Sequence, residues 1–205
     1  MKTYTLKKVS TPLTIADPAW EKLEAATLDF LWTDYCPSPY KTAVRLCHTD
    51  CGVCIRLETT EWPLRAMRTV CNEQICEDSC MEFFFTPNEE EKPYLNIEIN
   101  PFGVTHIGLG ADRYDRRPVD ITGEGVRIET LVRFGEGWMA SYFLPYTFID
   151  KYFSSRTATW RANFYKCGDL TVLKHFSVWN PVELPKPDYH RSEFFGRLIL
   201  AEEEI

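Results

Sequence analysis

The chain has 205 residues, of which 44% are hydrophobic, and this is enough to build the core of one normal domain. Its formal net charge is -7 and it has no basic cluster, which argues against a nucleic-acid phosphate backbone as partner. The apolar runs are far shorter than the roughly 20 residues that span a bilayer, so we expect no membrane partner either.

The N-terminal segment MKTYTLKKVSTPLTIADPAW is basic at its start but has no apolar stretch of signal-peptide length. The chain as given is therefore expected in the cytoplasm, or outside the cell if a leader has been removed. Asp17 followed by Pro18 is typical of a helix start, since Asp caps a first turn and Pro fits into it. One short helix is predicted there and a second, of one or two turns, in PYTFIDKYF from residue 145.

Cysteines are concentrated in one part of the chain. The segment CHTDCGVC, residues 47–54, would place three thiols and an imidazole around a turn, as a metal site could. Zinc sites usually have two C-x2-C pairs, whereas here only Cys51 and Cys54 have that spacing. Reduced and mostly buried thiols are therefore preferred over a metal site or disulfides. The eight cysteines are Cys36, Cys47, Cys51, Cys54, Cys71, Cys76, Cys80 and Cys167.

Most of the chain has the alternating pattern of short β-strands. Residues 42–61 and 125–145 each predict a hairpin, with turns at Thr-Asp-Cys-Gly and Gly-Glu-Gly. Further strands are expected at 78–85, 94–100, 158–167, 175–179 and 195–201. About nine short strands joined by turns indicate an all-β fold, an antiparallel β-sandwich with one or two short helices. No linker, repeat or low-complexity tract divides residues 1–205, so we expect a single domain.

Two of these strands carry acids and amides on one face. Alternation places Glu82 on the side opposite Met81 and Phe83, and it places Asn96 and Glu98 together on the second strand. One interpretation is the wet side of an antiparallel sheet, which needs only to be polar. The other is a sugar site, because sugar hydroxyls pair with polar side chains and sugar C–H faces lie flat on aromatic rings.

Loops around these strands offer further candidates. Arg113 and Arg116, in GADRYDRRP, could donate to sugar hydroxyls, although the neighbouring acids favour local ion pairs equally. The acidic run NEEEKP at 88–93 is interpreted as a solvated hairpin loop and not as a calcium site, because adjacent acids do not by themselves create converging oxygens.

Motifs of the main enzyme classes are missing from the sequence. It contains no G-x-S-x-G, no G-x-x-x-x-G-K, no G-x-G-x-x-G after a strand and no H-E-x-x-H. Its four histidines are scattered, and a lone histidine is more often a packed or surface residue than a ligand. A glycosidase-like carboxylate pair would depend on a spatial separation that sequence does not give.

Six segments, in this order, resemble successive blocks of the family 9-like carbohydrate-binding domains. The resemblance spans nearly the whole chain and implies a jelly-roll-like β-sandwich that binds sugars without cleaving them, often alongside polysaccharide-degrading enzymes. In that family the Glu of the D-S-x-x-E strand points into the sugar site, and its match is Glu82. The segments are AW (19–20), DSCMEFFF (78–85), YLNIEINPFG (94–103), GWMASYFLP (137–145), WRANFYKC (160–167) and WNPVELPKPDYHRSEFFGRLIL (179–200).

The resemblance is incomplete at the sugar-stacking positions. Family members sandwich a terminal sugar between two tryptophans, whereas here these neighbourhoods hold Ile75 or Cys76, and Tyr189. A missing ring costs on the order of 1 kcal/mol, about tenfold in affinity, so the family's sugar specificity does not transfer. Trp62 could substitute, but we favour a loop anchor for it, and we favour a core position for Trp179.

We therefore expect noncatalytic carbohydrate binding by a monomer, with a mono- or oligosaccharide or a polysaccharide chain end as ligand. No cofactor is expected, and calcium held by loop carbonyl oxygens is left open. The alternatives are a carbohydrate-active hydrolase or accessory subunit, and an interaction domain that has lost sugar binding. The candidate site, with Glu82 as polar anchor and Tyr189 as stacking ring, comprises Glu82, Asn96, Glu98, Arg113, Tyr189 and His190.

Overall fold

The computed structural model describes residues 1–29, 32 and 40–205, so Cys36 lies outside the described residues. None of the helices in the described ranges is long and apolar enough to span a bilayer. The described chain contains one four-residue α-helix, α1 (Tyr146–Ile149), and 3-10 helices at Pro18–Lys22, Ile75–Glu77 and Ser192–Phe194.

Thirteen strands in the described residues form one curled sheet in the order β8-β7-β6-β5-β11-β13-β1-β3-β4-β10-β9, with β12 added to β11 and β2 to β3. Neighbours pair antiparallel except β1, which is parallel to both β13 and β3. The strands are β1 (Thr3–Lys8), β2 (Ala26–Thr27), β3 (Thr42–Thr49), β4 (Gly52–Thr59), β5 (Cys80–Thr86), β6 (Tyr94–Ile99), β7 (Thr105–Gly110), β8 (Arg116–Pro118), β9 (Arg127–Arg133), β10 (Gly137–Pro145), β11 (Thr159–Gly168), β12 (His175–Val178) and β13 (Gly196–Glu204).

The two halves of this sheet pack face to face around the main core. That core takes Phe83 and Ile97 from one half, and Leu57 and Ala140 from the other. Burying apolar side chains between two strand layers is what holds a β-sandwich together. The all-β sandwich expected from the sequence is therefore confirmed.

A second apolar cluster covers the outer face of β5, β6 and β11. It contains Phe84, Tyr94 and Tyr165 from these strands, and Tyr189 and Phe195 from the segment before β13. We call residues 179–195 the closing segment. Because it covers the sheet here, the face that carries Glu82 is buried, and its interpretation as a wet sheet face is wrong.

All nine expected strands are present, and four further strands were not predicted. The missed strands are β1, β2, β7 and β8. β2 and β8 are only two and three residues long, and β7 (THIGLG) contains two glycines, which weaken strand propensity. Of the two helices predicted, the first is a 3-10 helix in which Asp17 caps the backbone N–H of Ala19, and the second is the single turn of α1.

A buried ion pair lies on the core side of β11. The Lys166 ammonium is 2.7 Å from Glu61 Oε2, and both side chains are fully buried. Lys166 Nζ is also 2.7 Å from His175 Nε2, and the Ser79 hydroxyl donates to Glu61 at 2.8 Å. The pair thus joins the segment after β4 to the loop before β5 and to β11 and β12.

Removing one partner of this pair should destabilise the fold strongly. Lys166→Met leaves the Glu61 carboxylate buried without its cation, and we expect a loss of about 3–5 kcal/mol in the free energy of unfolding. The double variant Glu61→Gln, Lys166→Met should recover a large part, because no uncompensated charge remains. Urea unfolding of the three proteins measures this, and a double variant less stable than Lys166→Met would contradict it.

Stability should also fall in mild acid because of His175. Burial, and to a smaller extent the nearby Lys166 ammonium, lowers the pKa of His175 from 6.5 to about 4. Above pH 6.5 the imidazole is neutral in both folded and unfolded chains, so it contributes no pH dependence. Between pH 6.5 and 4 only the unfolded chain takes up this proton, so stability should decline by about 3 kcal/mol in total.

The measurement is the free energy of unfolding at steps across this pH range. His175→Gln should show a shallower slope than the parent protein, whatever its absolute stability. Equal slopes would assign the acid sensitivity to other groups.

Candidate functional site

A pocket of about 320 Å³ opens between the closing segment and the outer face of β5, β6 and β11. Five of the six residues expected from the sequence line it; the sixth, Asn96, does not. The lining residues are Cys76, Glu82, Glu98, Arg113, Cys167, Asp169, Lys174, Phe176, Lys186, Pro187, Tyr189 and His190.

Glu82 and Glu98 form the acidic part of the pocket. They are register partners across the antiparallel pair β5 and β6, so their side chains stand side by side on the outer face. Glu82 is 3% exposed and Glu98 is 8% exposed. Burial raises the pKa of Glu98 to about 7, and burial together with the Glu98 carboxyl raises the pKa of Glu82 well above its ordinary value.

Asn96 holds Glu98 from the neighbouring position on the same face of β6. Its Nδ2 donates to Glu98 Oε1 at 3.0 Å, and its Oδ1 accepts from Arg116. Arg116 also donates to the carbonyl oxygens of Tyr94 and Gly108, at 3.3 and 2.8 Å. Arg116 is thus occupied by the backbone and by Asn96, and the structure places both residues outside the lining of the pocket.

Arg113 and His190 stand on the wall of the pocket. Arg113 donates to Asp188 Oδ1 at 2.7 Å, so its partner comes from the closing segment and not from the acids beside it in sequence. His190 Nδ1 is 2.9 Å from the hydroxyl of Tyr94. Burial and the nearby guanidinium groups, first that of Arg116, lower the pKa of His190 to about 3, so the imidazole is neutral at ordinary pH.

Tyr189 lines the pocket but is held by the protein on several sides. Its ring stacks on Tyr165 with centroids 4.1 Å apart and planes 13° apart. Its hydroxyl donates to the carbonyl oxygen of Lys166 at 2.9 Å. Because only 7% of Tyr189 is exposed, it offers less open ring surface than the stacking role expected for it requires.

Phe176, on β12, is an aromatic lining residue that sequence reasoning missed. It is half-buried, and its ring meets that of Tyr189 edge to face at 6.2 Å. The missed charged lining residues are Asp169, Lys174 and Lys186. The sequence predicted a strand at 175–179, but only the pairing of β12 with β11 brings Phe176 to this face.

The tryptophans discussed from the sequence lie elsewhere. The Trp62 ring packs edge to face on Phe134 at 4.7 Å, which fits the loop-anchor interpretation. Trp179 is 4% exposed and contacts Phe164 in the main core, as expected.

The first two residues of the D-S-x-x-E strand have structural partners. Both Asp78 carboxylate oxygens accept the backbone N–H of Met67, and Asp78 Oδ2 also accepts the side-chain amide of Asn100. Ser79 donates to Glu61. These buried bonds fix the loop before β5 and therefore the position at which Glu82 enters the pocket.

The thiols of CHTDCGVC do not assemble into a site. Cys47 and Cys54 are buried cross-strand partners, whereas Cys51 is exposed in the turn and His48 binds the Ala201 carbonyl oxygen. Of the seven cysteines that the structure describes, all are free thiols and four are buried. A different group, Cys80, Glu82 and Cys167, brings together side chains that could hold a metal ion.

Comparison with known proteins gives a consistent result. The model of a family described as carbohydrate-binding family 9 matches residues 17–200. A crystal structure of a candidate carbohydrate-binding protein from Bacteroides uniformis ATCC 8492 is 29% identical, with a TM-score of 0.87, and the match covers 98% of this chain and 99% of that one.

Two further matches are structures of a carbohydrate-binding module of family 9 from Caldicellulosiruptor kristjanssonii. The complex with glucose has a TM-score of 0.72 at 11% identity, covering 99% of this chain and 97% of that one. The complex with cellotriose has a TM-score of 0.69 at 11% identity, covering 99% and 95%. At this identity the likeness concerns the fold. None of the curated proteins matches the sequence.

Asn96 should act on ligand binding through Glu98. Asn96→Leu removes the amide that donates to Glu98 Oε1, so the carboxyl loses its orientation, and we expect ligand affinity to fall by about threefold to tenfold. Calorimetric titration with a sugar that the parent protein binds measures this. Asn88→Leu, in the exposed loop between β5 and β6, is the control and should bind like the parent protein.

Proposed function

The chain belongs to carbohydrate-binding family 9, and we propose that it binds a sugar chain end or short oligosaccharide in the pocket without cleaving it. One observation carries this proposal: the pocket combines buried carboxyls, basic groups and aromatic rings within a single cavity. Its volume of about 320 Å³ lies in the lower part of the range of small-molecule sites. A short ligand therefore fits it better than an internal stretch of a long chain.

The chemistry of the lining suits hydroxyl groups. A sugar hydroxyl can donate to Glu82 or Glu98 and accept from Arg113 or Lys174, because it is both donor and acceptor. Phe176, half-buried beside Tyr189, supplies the more accessible ring for a sugar C–H face. Tyr189 exposes little of its ring to the pocket. Phe176 adds ring surface there and thus compensates in part for the missing stacking tryptophan.

A panel titration tests the ligand class. Glucose, cellobiose and cellotriose are the first sugars to use, since structural relatives are complexes with glucose and cellotriose. Other mono- and oligosaccharides follow, each with calcium and with a chelator. We expect saturable heat with at least one sugar. No heat with any sugar, from protein shown to be folded, would favour the interaction domain.

Variants of the pocket residues should bind the sugar less tightly, and the loss should depend on the kind of contact that each substitution removes. Glu98→Gln and Arg113→Ala should each weaken binding by about tenfold or more, because a hydrogen bond to a charged group contributes about 1.5–3 kcal/mol. Phe176→Ala should weaken it by about threefold to tenfold. The matched controls are Glu90→Gln and Phe102→Ala, both exposed and outside the pocket lining.

The second candidate function is glycoside hydrolysis, favoured by the side-by-side carboxyls of Glu82 and Glu98. We infer binding without turnover because the family consists of binding domains and the sequence contains no motif of the main enzyme classes. Incubation with oligosaccharides, followed by chromatography of the products, distinguishes binding from hydrolysis. Cleavage that is abolished in Glu82→Gln or Glu98→Gln, while binding survives, would establish the hydrolase instead.

A further inference from the structure

Two thiols and one carboxyl converge at the floor of the pocket. Cys80 and Cys167 are register partners across the antiparallel pair β5 and β11, and Glu82 lies two residues along β5 on the same face. Cys167 Sγ is 3.0 Å from Glu82 Oε1, and Cys80 Sγ is 4.0 Å from the same oxygen. One ligand atom from each of the three side chains lies within 4.8 Å of the others.

These separations suit a tetrahedral metal ion. Zn²⁺ binds thiolate sulfur at about 2.3 Å and carboxylate oxygen at about 2.0–2.2 Å, so tetrahedral geometry separates sulfur from oxygen by roughly 3.5 Å. The two sulfur–oxygen distances, 3.0 and 4.0 Å, fall on either side of this value. Shifts of about half an ångström in the side chains would complete the geometry.

The Glu82 carboxyl has only weak hydrogen-bond partners among the described residues. Among the described residues, its hydrogen-bond partners are the thiols of Cys80 and Cys167, and S–H is a weak donor. The Lys166 ammonium, next to Cys167 in sequence, lies on the core side with Glu61 at 2.7 Å. Arg113 is paired with Asp188. Burial without a strong partner favours the neutral acid, and a divalent cation bound here would take the place of its proton.

From this geometry we propose that Cys80, Cys167 and Glu82 form a binding site for a thiophilic divalent metal ion, with Zn²⁺ as the natural candidate. Cys167 and Glu82 also line the pocket, so the fourth coordination position opens into it and is filled by solvent or by a pocket ligand. The proposal does not depend on sugar binding, because its test contains no sugar.

The first experiment uses the metal ion alone. The full chain is stripped with a chelator, kept reduced with a phosphine that does not bind metal strongly, and titrated with Co²⁺. We expect about one Co²⁺ ion per chain, with a thiolate-to-cobalt charge-transfer band and the visible bands of tetrahedral Co²⁺. Both sets of bands should disappear when Zn²⁺ displaces the cobalt. Absence of these bands in the folded, reduced chain would overturn the proposal.

Variants then assign the ligands. Cys80→Ser and Cys167→Ser should each weaken Co²⁺ binding by more than about tenfold and reduce the charge-transfer band, and Glu82→Gln should weaken binding with the thiolate band retained. Cys54→Ser is the matched control, because Cys47 and Cys54 form another buried cross-strand pair. Unchanged Co²⁺ binding in both Cys80→Ser and Cys167→Ser would overturn the assignment. Loss of Co²⁺ binding in Cys54→Ser would also overturn it.

A measurement on the unaltered chain covers the case in which the cysteine variants do not fold. X-ray absorption spectroscopy of the Zn²⁺ complex should show about two sulfur neighbours at about 2.3 Å, with the remaining ligands being oxygen. A zinc ion surrounded by four sulfur atoms, or by none, would contradict the proposed site.

Discussion

The attachment of Tyr189 to β11 is the interaction on which the pocket depends. Its hydroxyl donates to the carbonyl oxygen of Lys166 at 2.9 Å and lies 3.3 Å from that of Ser177, while its ring stacks on Tyr165. In return the Tyr165 hydroxyl donates to the Tyr189 carbonyl oxygen at 3.1 Å. These bonds hold the closing segment above the sheet, and the space left beneath it is the pocket.

The same strand also serves the opposite layer of the fold. Because neighbouring residues point to opposite faces, β11 directs Lys166 into the core toward Glu61, and it directs Tyr165 and Cys167 toward the pocket. A shift of one residue in the pairing of β5 with β11 would exchange these sets, burying thiols in the core and exposing Lys166 to the pocket. The core ion pair and the pocket are therefore both compatible with only this register of β5 against β11.

The sequence predicted the face of each strand better than the environment of that face. Period-two alternation was sufficient to put Glu82 on one face of its strand, and Asn96 with Glu98 on one face of the next, because it depends only on strand geometry; the pairing of Glu82 with Glu98 came from the structure. It could not show that residues about a hundred positions later cover this face, since long-range packing leaves no local pattern. For the same reason Phe176 was missed, and Asn96 was expected in the lining although it lies outside it and only hydrogen-bonds Glu98.

The distribution of charge in the pocket limits what can enter it. The carboxyls of Glu82 and Glu98 are buried at the floor, whereas Arg113, Lys174 and Lys186 are exposed at the rim. A phosphate or carboxylate ligand would be attracted to the rim, but the floor would accept it only with Glu82 and Glu98 protonated, because either group as a carboxylate would repel it. A ligand with neutral hydroxyls donates to the floor and accepts from the rim without a change of charge. The pocket therefore favours polyhydroxylated neutral ligands by electrostatics as well as by shape.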